Sequence, residues 1–133
     1  MRPSVEQLKA RTKTFSLRIL TLCDALPRAP SGRAIANQLV RSGMSVGANY
    51  RAVCRARSRA EFVAKLGIVV EEADETVFWL DLLAESGMVK TARLELLRKE
   101  AAELLAIFSA SQLTAKKKLD RVREAKEQKE QRR

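Results

Sequence analysis

The side chains that could do chemistry in this chain fall into two blocks of opposite sign. Arg51, Arg55 and Arg59 step by four residues, with Arg57 between them. Twelve residues later come Glu71, Glu72, Asp74 and Glu75. Carboxylates at such density on a helical chain invite a di-metal reading. That site needs a Glu-x-x-His pair on two helices, and the chain has no histidine. Glu6 and Asp24 are the only acids before residue 61, too few to complete a ligand set. Cys23 and Cys54 have neither metal spacing nor a histidine base, so nucleophilic catalysis lacks its activating partner. Gly43 and Gly47 lie one turn apart within a helical pattern, not in a loop after a strand, so they cannot form a phosphate-cradling loop. The sequence therefore predicts no catalytic residue, metal or cofactor, and no small-molecule substrate.

The arginines are the functional candidates. Clustered guanidinium groups bind phosphate oxygens bidentately. Net charge is +10, and its distribution says more than the total. Residues 1–60 carry twelve Lys/Arg against two acids, residues 61–115 five against ten, and residues 116–133 nine against four. A basic first half is the electrostatic footprint expected of a polyanion-binding protein. Arg11, Arg18, Arg33, Arg41, Arg51, Arg55, Arg57 and Arg59 are the predicted nucleic-acid contacts, expected to be salt-sensitive and indifferent to sequence. The competing reading is an adaptor or assembly scaffold whose basic face meets an acidic protein. Glu72 and Glu75 are expected to pair with arginines such as Arg41 or Arg51. Asn49 and Thr76 are expected as polar core residues that hold helix register, and Trp79 as a core or interface anchor.

The elements that must position these groups are helices. Hydrophobic residues make up 46% of 133 residues with few glycines and prolines, which predicts a single all-α domain. Val5, Leu8, Thr12, Phe15, Ile19, Leu22 and Leu26 keep three-four spacing, so a first helix is expected over about 4–26 with Ser4 as its N-cap. Pro27 and Pro30 stop it. A second helix, about 31–54 and capped by Ser31, turns Ile35, Leu39, Gly43, Val46, Tyr50 and Val53 inward. Gly43 and Gly47 there, each costing about 1 kcal/mol relative to alanine, mark either a close helix–helix approach or a break, and the close approach is favoured because no proline follows. Ser58-x-x-Glu61 is a capping-box signature opening a third helix, about 58–85, with Phe62, Leu66, Val69, Ala73, Thr76, Leu80 and Leu83 as its core stripe. Val63, Val70 and Val77 form a second apolar line, which reads as a broad core face or as a subunit interface. A fourth helix, about 90–112, carries Leu94, Leu97, Ala101, Leu104 and Phe108. Residues 1–113 thus form an up-down-up-down antiparallel four-helix bundle, with 114–133 a basic tail that frays or is disordered. Both cysteines are expected as small buried or half-buried residues in a reducing cytoplasm. No stretch is apolar for long enough to span a membrane.

One stretch carries a resemblance. Gln38, Arg41, Ser42, Ser45 and Asn49 fit a Q-x-x-R-S-x-x-S-x-x-x-N helix. Arg57, Ser58, Glu61 and Phe62 fit an Arg/Ser turn followed by E-F, and Glu72, Glu75, Thr76, Trp79 and Leu80 fit E-x-x-E-T-x-x-W-L. Leu26-Pro27 fits an L-P ending of the first helix. Over about residues 15–110 the chain resembles the bacterial four-helix-bundle family of the 23S rRNA intervening-sequence proteins. That family also includes the accessory variability proteins of diversity-generating retroelements. The resemblance implies the fold, a ring-like homo-oligomer (a pentamer as first expectation), association with RNA or DNA, and a reverse transcriptase as a further partner. It does not extend to residues 116–133.

Overall fold

The computed structural model describes residues 2–133 and contains four α-helices and, among the described residues, no strand: α1 Val5–Asp24, α2 Pro30–Val53, α3 Arg59–Ser86 and α4 Thr91–Gln131. Short linkers make successive helices antiparallel neighbours. The predicted inward stripes of helices two and four are buried throughout, and those of helices one and three nearly so. Val5 at the open end of α1 is 49% exposed, and Phe62 is only half-buried. Phe15, Ile19, Leu39, Leu80, Leu104 and Phe108 fill the centre, each side chain contributing about 1.5–3 kcal/mol on burial. Tyr50 and Phe108 meet with ring centroids 5.1 Å apart.

Local chemistry sets the ends. Ser4 and Gln7 form a reciprocal capping box at α1. At α3, Ser58 accepts from the Glu61 N–H at 3.1 Å, but the Glu61 carboxylate pairs with Lys65 at 2.9 Å, so this cap runs in one direction. α2 starts earlier than Ser31: Ala29 is the N-cap and Pro30 occupies the first turn, where its missing N–H has no intrahelical partner to lose. Gly87, at φ 76°, ends α3 in the left-handed conformation that glycine adopts without strain.

The glycine expectation holds between α1 and α2. A Cβ at Gly43 would lie 3.0 and 3.1 Å from two Ile19 carbons, and one at Gly47 would lie 3.2 Å from Thr12. At the linker, Gly32 packs directly on the backbone carbonyl of Pro27.

Two expectations need correction. Residues 114–133 do not fray: α4 runs unbroken to Gln131. The packed first part supplies the costly helical nucleus. Beyond it Ala, Lys, Arg, Glu and Gln are strong helix formers, and oppositely charged residues stand four apart (Lys116 with Asp120, Arg123 with Glu127). Helical propensity outweighs the absence of buried surface. Second, Cys54 is not inside the bundle. It is exposed at the end of α2, whereas Cys23 is buried.

α1 and α4 touch each other far less than the other neighbouring helices do. Between the second half of α1 and the α3–α4 linker with the start of α4 lies a groove of about 700 Å³ lined by Leu17, Leu22, Met88, Val89 and Leu97 and by the cations Arg18, Lys90 and Arg93. No helix is long and apolar enough to cross a membrane.

Candidate nucleic-acid interface

The eight predicted arginines do not share one face. Arg51 on the last turn of α2, Arg55 and Arg57 in the linker, and Arg59 at the start of α3 are all exposed. Among the described residues none of these four has a carboxylate within ion-pair distance. The linker brings them together because Ser58 fixes the start of α3 only five residues after α2 ends. Arg33 lies at the opposite end of the bundle, in the first turn of α2. Arg18 is exposed on α1 beside the α1–α4 groove.

Arg11 and Arg41 are engaged internally. The Arg11 guanidinium holds Glu100 of α4 with two hydrogen bonds, one of them Nε to Oε2 at 3.2 Å, and Glu103 stands 3.7 Å away. It closes the sparse α1–α4 seam. Arg41 bridges α2 to α3 by pairing with Glu72 at 3.1 Å and with Glu75. The Trp79 indole N–H donates to the same Glu75 oxygen at 3.1 Å. The hydrogen bond from Arg41, and next that from Trp79, hold the Glu75 carboxyl below its ordinary pKa. The expected Arg41–Glu72–Glu75 pairing is therefore present, and these two arginines act as fasteners between helices. A third fastener, Arg98 with Asp81 at 3.0 Å, ties α4 to α3.

Asn49 is not the polar core residue expected. Half-buried, its side-chain amide donates to the Ser45 carbonyl of its own helix at 2.8 Å. The inter-helix polar contact is made by Ser42, whose hydroxyl lies 3.0 Å from that of Thr76. Trp79 is half-buried and meets Phe78 edge-on, centroids 5.0 Å apart. Of the second apolar line, Val70 and Val77 pack against the core and broaden the core face, and Val63 is half-buried outside that cluster. The apolar groups that α3 leaves in solvent are Ile68, Phe78 and Leu82, at 46%, 57% and 38% exposure.

Sequence reasoning missed two contributors to the basic end. Arg2 and the first turns of the α4 extension, including Lys118, converge beside Arg59. The charge of residues 116–133 was visible, but reading them as disordered gave that charge no position.

A model of the 23S rRNA-intervening sequence protein family matches residues 7–110. The chain is also similar to a solved structure from Bacteroides thetaiotaomicron, a protein of unknown function from the S23 ribosomal protein family. Identity is 30% over 81% of this chain and 96% of that one, with a TM-score of 0.75. No curated protein matches. The matched span runs from α1 through the packed part of α4, holds the Arg41–Glu72–Glu75 fastener and the arginine-rich linker, and stops before the α4 extension; by that match the chain belongs to the 23S rRNA-intervening sequence protein family.

Proposed function

We propose that this protein is a non-catalytic nucleic-acid-binding protein that self-associates and grips phosphates through the basic end of its bundle. The observation that carries the reading is the group Arg51, Arg55, Arg57 and Arg59, exposed on and beside the short α2–α3 linker and without carboxylate partners among the described residues. Where arginines serve the fold here, at Arg11, Arg41 and Arg98, they are paired with acids. Unpaired guanidinium groups at one end are available to phosphate oxygens. They contact backbone and not base edges, so RNA and DNA of any sequence are the expected ligands. Ile68, Phe78 and Leu82 give α3 an apolar outer stripe that suits contact with a second copy. A pentameric ring and association with a reverse transcriptase are the assemblies that the resemblance to the accessory variability proteins adds to this reading.

The test is binding to short single-stranded and duplex RNA and DNA across a salt series, with wild type and the Arg51→Ala/Arg55→Ala/Arg59→Ala variant. Affinity should fall steeply with salt, and the variant should flatten the log–log slope by up to about three units. Absence of binding at low salt would sink the reading.

The α1–α4 groove favours a second reading. Its apolar length and its cationic rim of Arg18, Lys90 and Arg93 suit an acidic amphipathic helix of a protein partner. Stoichiometric capture of such a protein, with affinity unchanged by the arginine substitutions above, would favour the adaptor role.

A further inference from the structure

Where the α4 extension passes the start of α3, a second cavity of about 340 Å³ opens. Three cations line it from three parts of the chain: Arg2 from the segment before α1, Arg59 from the first turn of α3, and Lys118 from α4. Ser111 and Thr114 add two hydroxyls from α4, and half-buried Phe62 forms an apolar wall. No acidic side chain lines it among the described residues. Glu61, in the same turn of α3 as Arg59, is paired with Lys65 at 2.9 Å.

We infer that this cavity is a subsite for a terminal phosphomonoester, the phosphorylated end of a nucleic-acid strand. The charge decides between an end and an internal linkage. A phosphodiester carries a single negative charge, whereas a phosphomonoester carries about −1.5 to −2 at pH 7 and presents three acceptor oxygens. Three cations with no counter-charge in one cavity match the second. The Thr114 hydroxyl already donates to the Ala110 carbonyl at 3.0 Å, but the Lys118 ammonium, the two guanidinium groups and the Ser111 hydroxyl supply enough hydrogens for all three oxygens. The positive end of the α3 dipole adds to the attraction. Size points the same way: about 340 Å³ is at the lower end of the roughly 300–1,000 Å³ of small-ligand pockets, room for one nucleotide and not for a duplex. Phe62 gives the sugar or base of that nucleotide an apolar surface. Ser111, Thr114 and Lys118 all lie beyond residue 110, so the α4 side of the site is built outside the family match, while Arg59 and Phe62 lie within it.

This inference rests on the nucleic-acid reading and adds a preference for strand ends, which can be tested separately. Single-stranded oligonucleotides of one sequence, carrying a 5′-phosphate, a 3′-phosphate or only hydroxyl ends, are compared by anisotropy with wild type, Lys118→Ala and Ser111→Ala. A nucleoside 5′-monophosphate is titrated alongside and followed by NMR. One phosphorylated end should bind about tenfold more tightly than the hydroxyl-ended strand, and Lys118→Ala should bring that ratio to one; the loss of a cation from the basic end weakens all three strands alike, so the ratio between strands is what is read. The two phosphorylated strands identify which end is read. Equal binding of all three strands overturns the subsite and leaves the arginine end standing. Binding of the monophosphate alone, lost in Lys118→Ala, supports the subsite and removes the arginine end. Binding of neither strands nor monophosphate overturns both. Unchanged far-UV helicity in each variant shows that the fold is retained.

Discussion

Ser42 of α2 and Thr76 of α3 place their hydroxyl oxygens 3.0 Å apart, both residues at 0% exposure, in the buried seam between the two helices. Thr76 also donates to the Glu72 carbonyl of its own helix at 2.7 Å. A carbonyl can only accept, so the Thr76 proton goes there and Ser42 must donate across the seam. The pair works as a register pin, because a slip of either helix would take from the Ser42 hydroxyl its acceptor across the seam.

Thr76→Val keeps the shape and removes Ser42's acceptor. It is expected to cost about 1–2 kcal/mol, as is usual when a buried polar group loses its partner. Ser42→Ala together with Thr76→Val should cost less than the two single changes added together. Urea unfolding of the four proteins measures this directly, and simple additivity would mean the two hydroxyls do not depend on one another.

How far the sequence reveals this molecule depends on which force dominates at each position. The buried stripes of all four helices follow from three-four spacing, because burying Leu, Ile, Val and Phe stabilises the bundle most and recurs with a fixed period. Gly43 and Gly47 announce a close approach because nothing else compensates for two glycines in a helix. The polar pin is less legible: serine, threonine and asparagine can all satisfy themselves on their own helix, and only the packed structure shows that Asn49 does so while Ser42 reaches across. The basic site is less legible still. Sequence marks eight arginines alike, yet Arg11 and Arg41 face acids on a neighbouring helix while Arg51 to Arg59 face none. That difference depends on the rotation of one helix against another, which periodicity alone does not carry.

Gly43→Ala and Gly67→Ala should have opposite signs. Both replace glycine in a helix interior, which by itself stabilises by up to about 1 kcal/mol. At Gly43 the new methyl would press on two carbons of Ile19, a side chain with 0% exposure and no room to move. Overpacking of this kind costs about 1–3 kcal/mol, so a net loss is expected. At Gly67 the nearest atom is the terminal nitrogen of Gln112 at 2.8 Å, the end of a flexible chain that can turn away at the cost of a long hydrogen bond to the Val63 carbonyl at 3.5 Å. A net gain of about 0.5 kcal/mol is expected there. Thermal melts of both variants decide it; a stabilised Gly43→Ala would mean that α1 can shift away from α2 at little cost.

The Arg41–Glu75 pair gives stability a dependence on acid. Arg41 and then Trp79 hold the Glu75 carboxyl below its ordinary value in the folded protein. A depressed folded pKa contributes stability that is fully present above the unfolded carboxyl pKa and is lost as pH falls through the folded value. The groups are partly exposed, so the contribution is modest and salt-screened. Glu75→Gln should melt below wild type at pH 7, and the gap should close as the pH is taken below about 4. A gap that persists unchanged in acid would show that packing, and not charge, is what the substitution removed.

The two thiols should separate cleanly by reactivity. Cys23 is buried on α1, and desolvation, followed by the charge of neighbouring Asp24, pushes its pKa up to about 11. The thiolate is the reactive species, so Cys23 is both hidden and protonated at neutral pH. Cys54 is exposed at the end of α2. Iodoacetamide at about pH 8, near the ordinary thiol pKa, should label Cys54 alone in the native protein and both residues in denaturant, as read by peptide mass. Native labelling of Cys23 at a comparable rate would mean that the end of α1 opens readily.

The last part of α4 should be dispensable to the fold but not silent in the spectrum. Every residue from Asp120 to Arg133 is exposed, while Thr114, Ala115 and Leu119 are half-buried. A chain ending at Leu119 keeps the packed helix and also Ser111, Thr114 and Lys118 of the cationic cavity. Its unfolding free energy should stay within about 0.5 kcal/mol of wild type, as for other changes confined to exposed surface. Far-UV ellipticity should fall by the contribution of the helical residues from Asp120 to Gln131. Because the six cations removed are accompanied by four acids, salt-dependent binding should weaken only slightly. Any preference for a phosphorylated end should survive. A large fall in stability would instead mean that the extension packs on another surface, and the apolar stripe of Ile68, Phe78 and Leu82 on a second copy would be the first place to look.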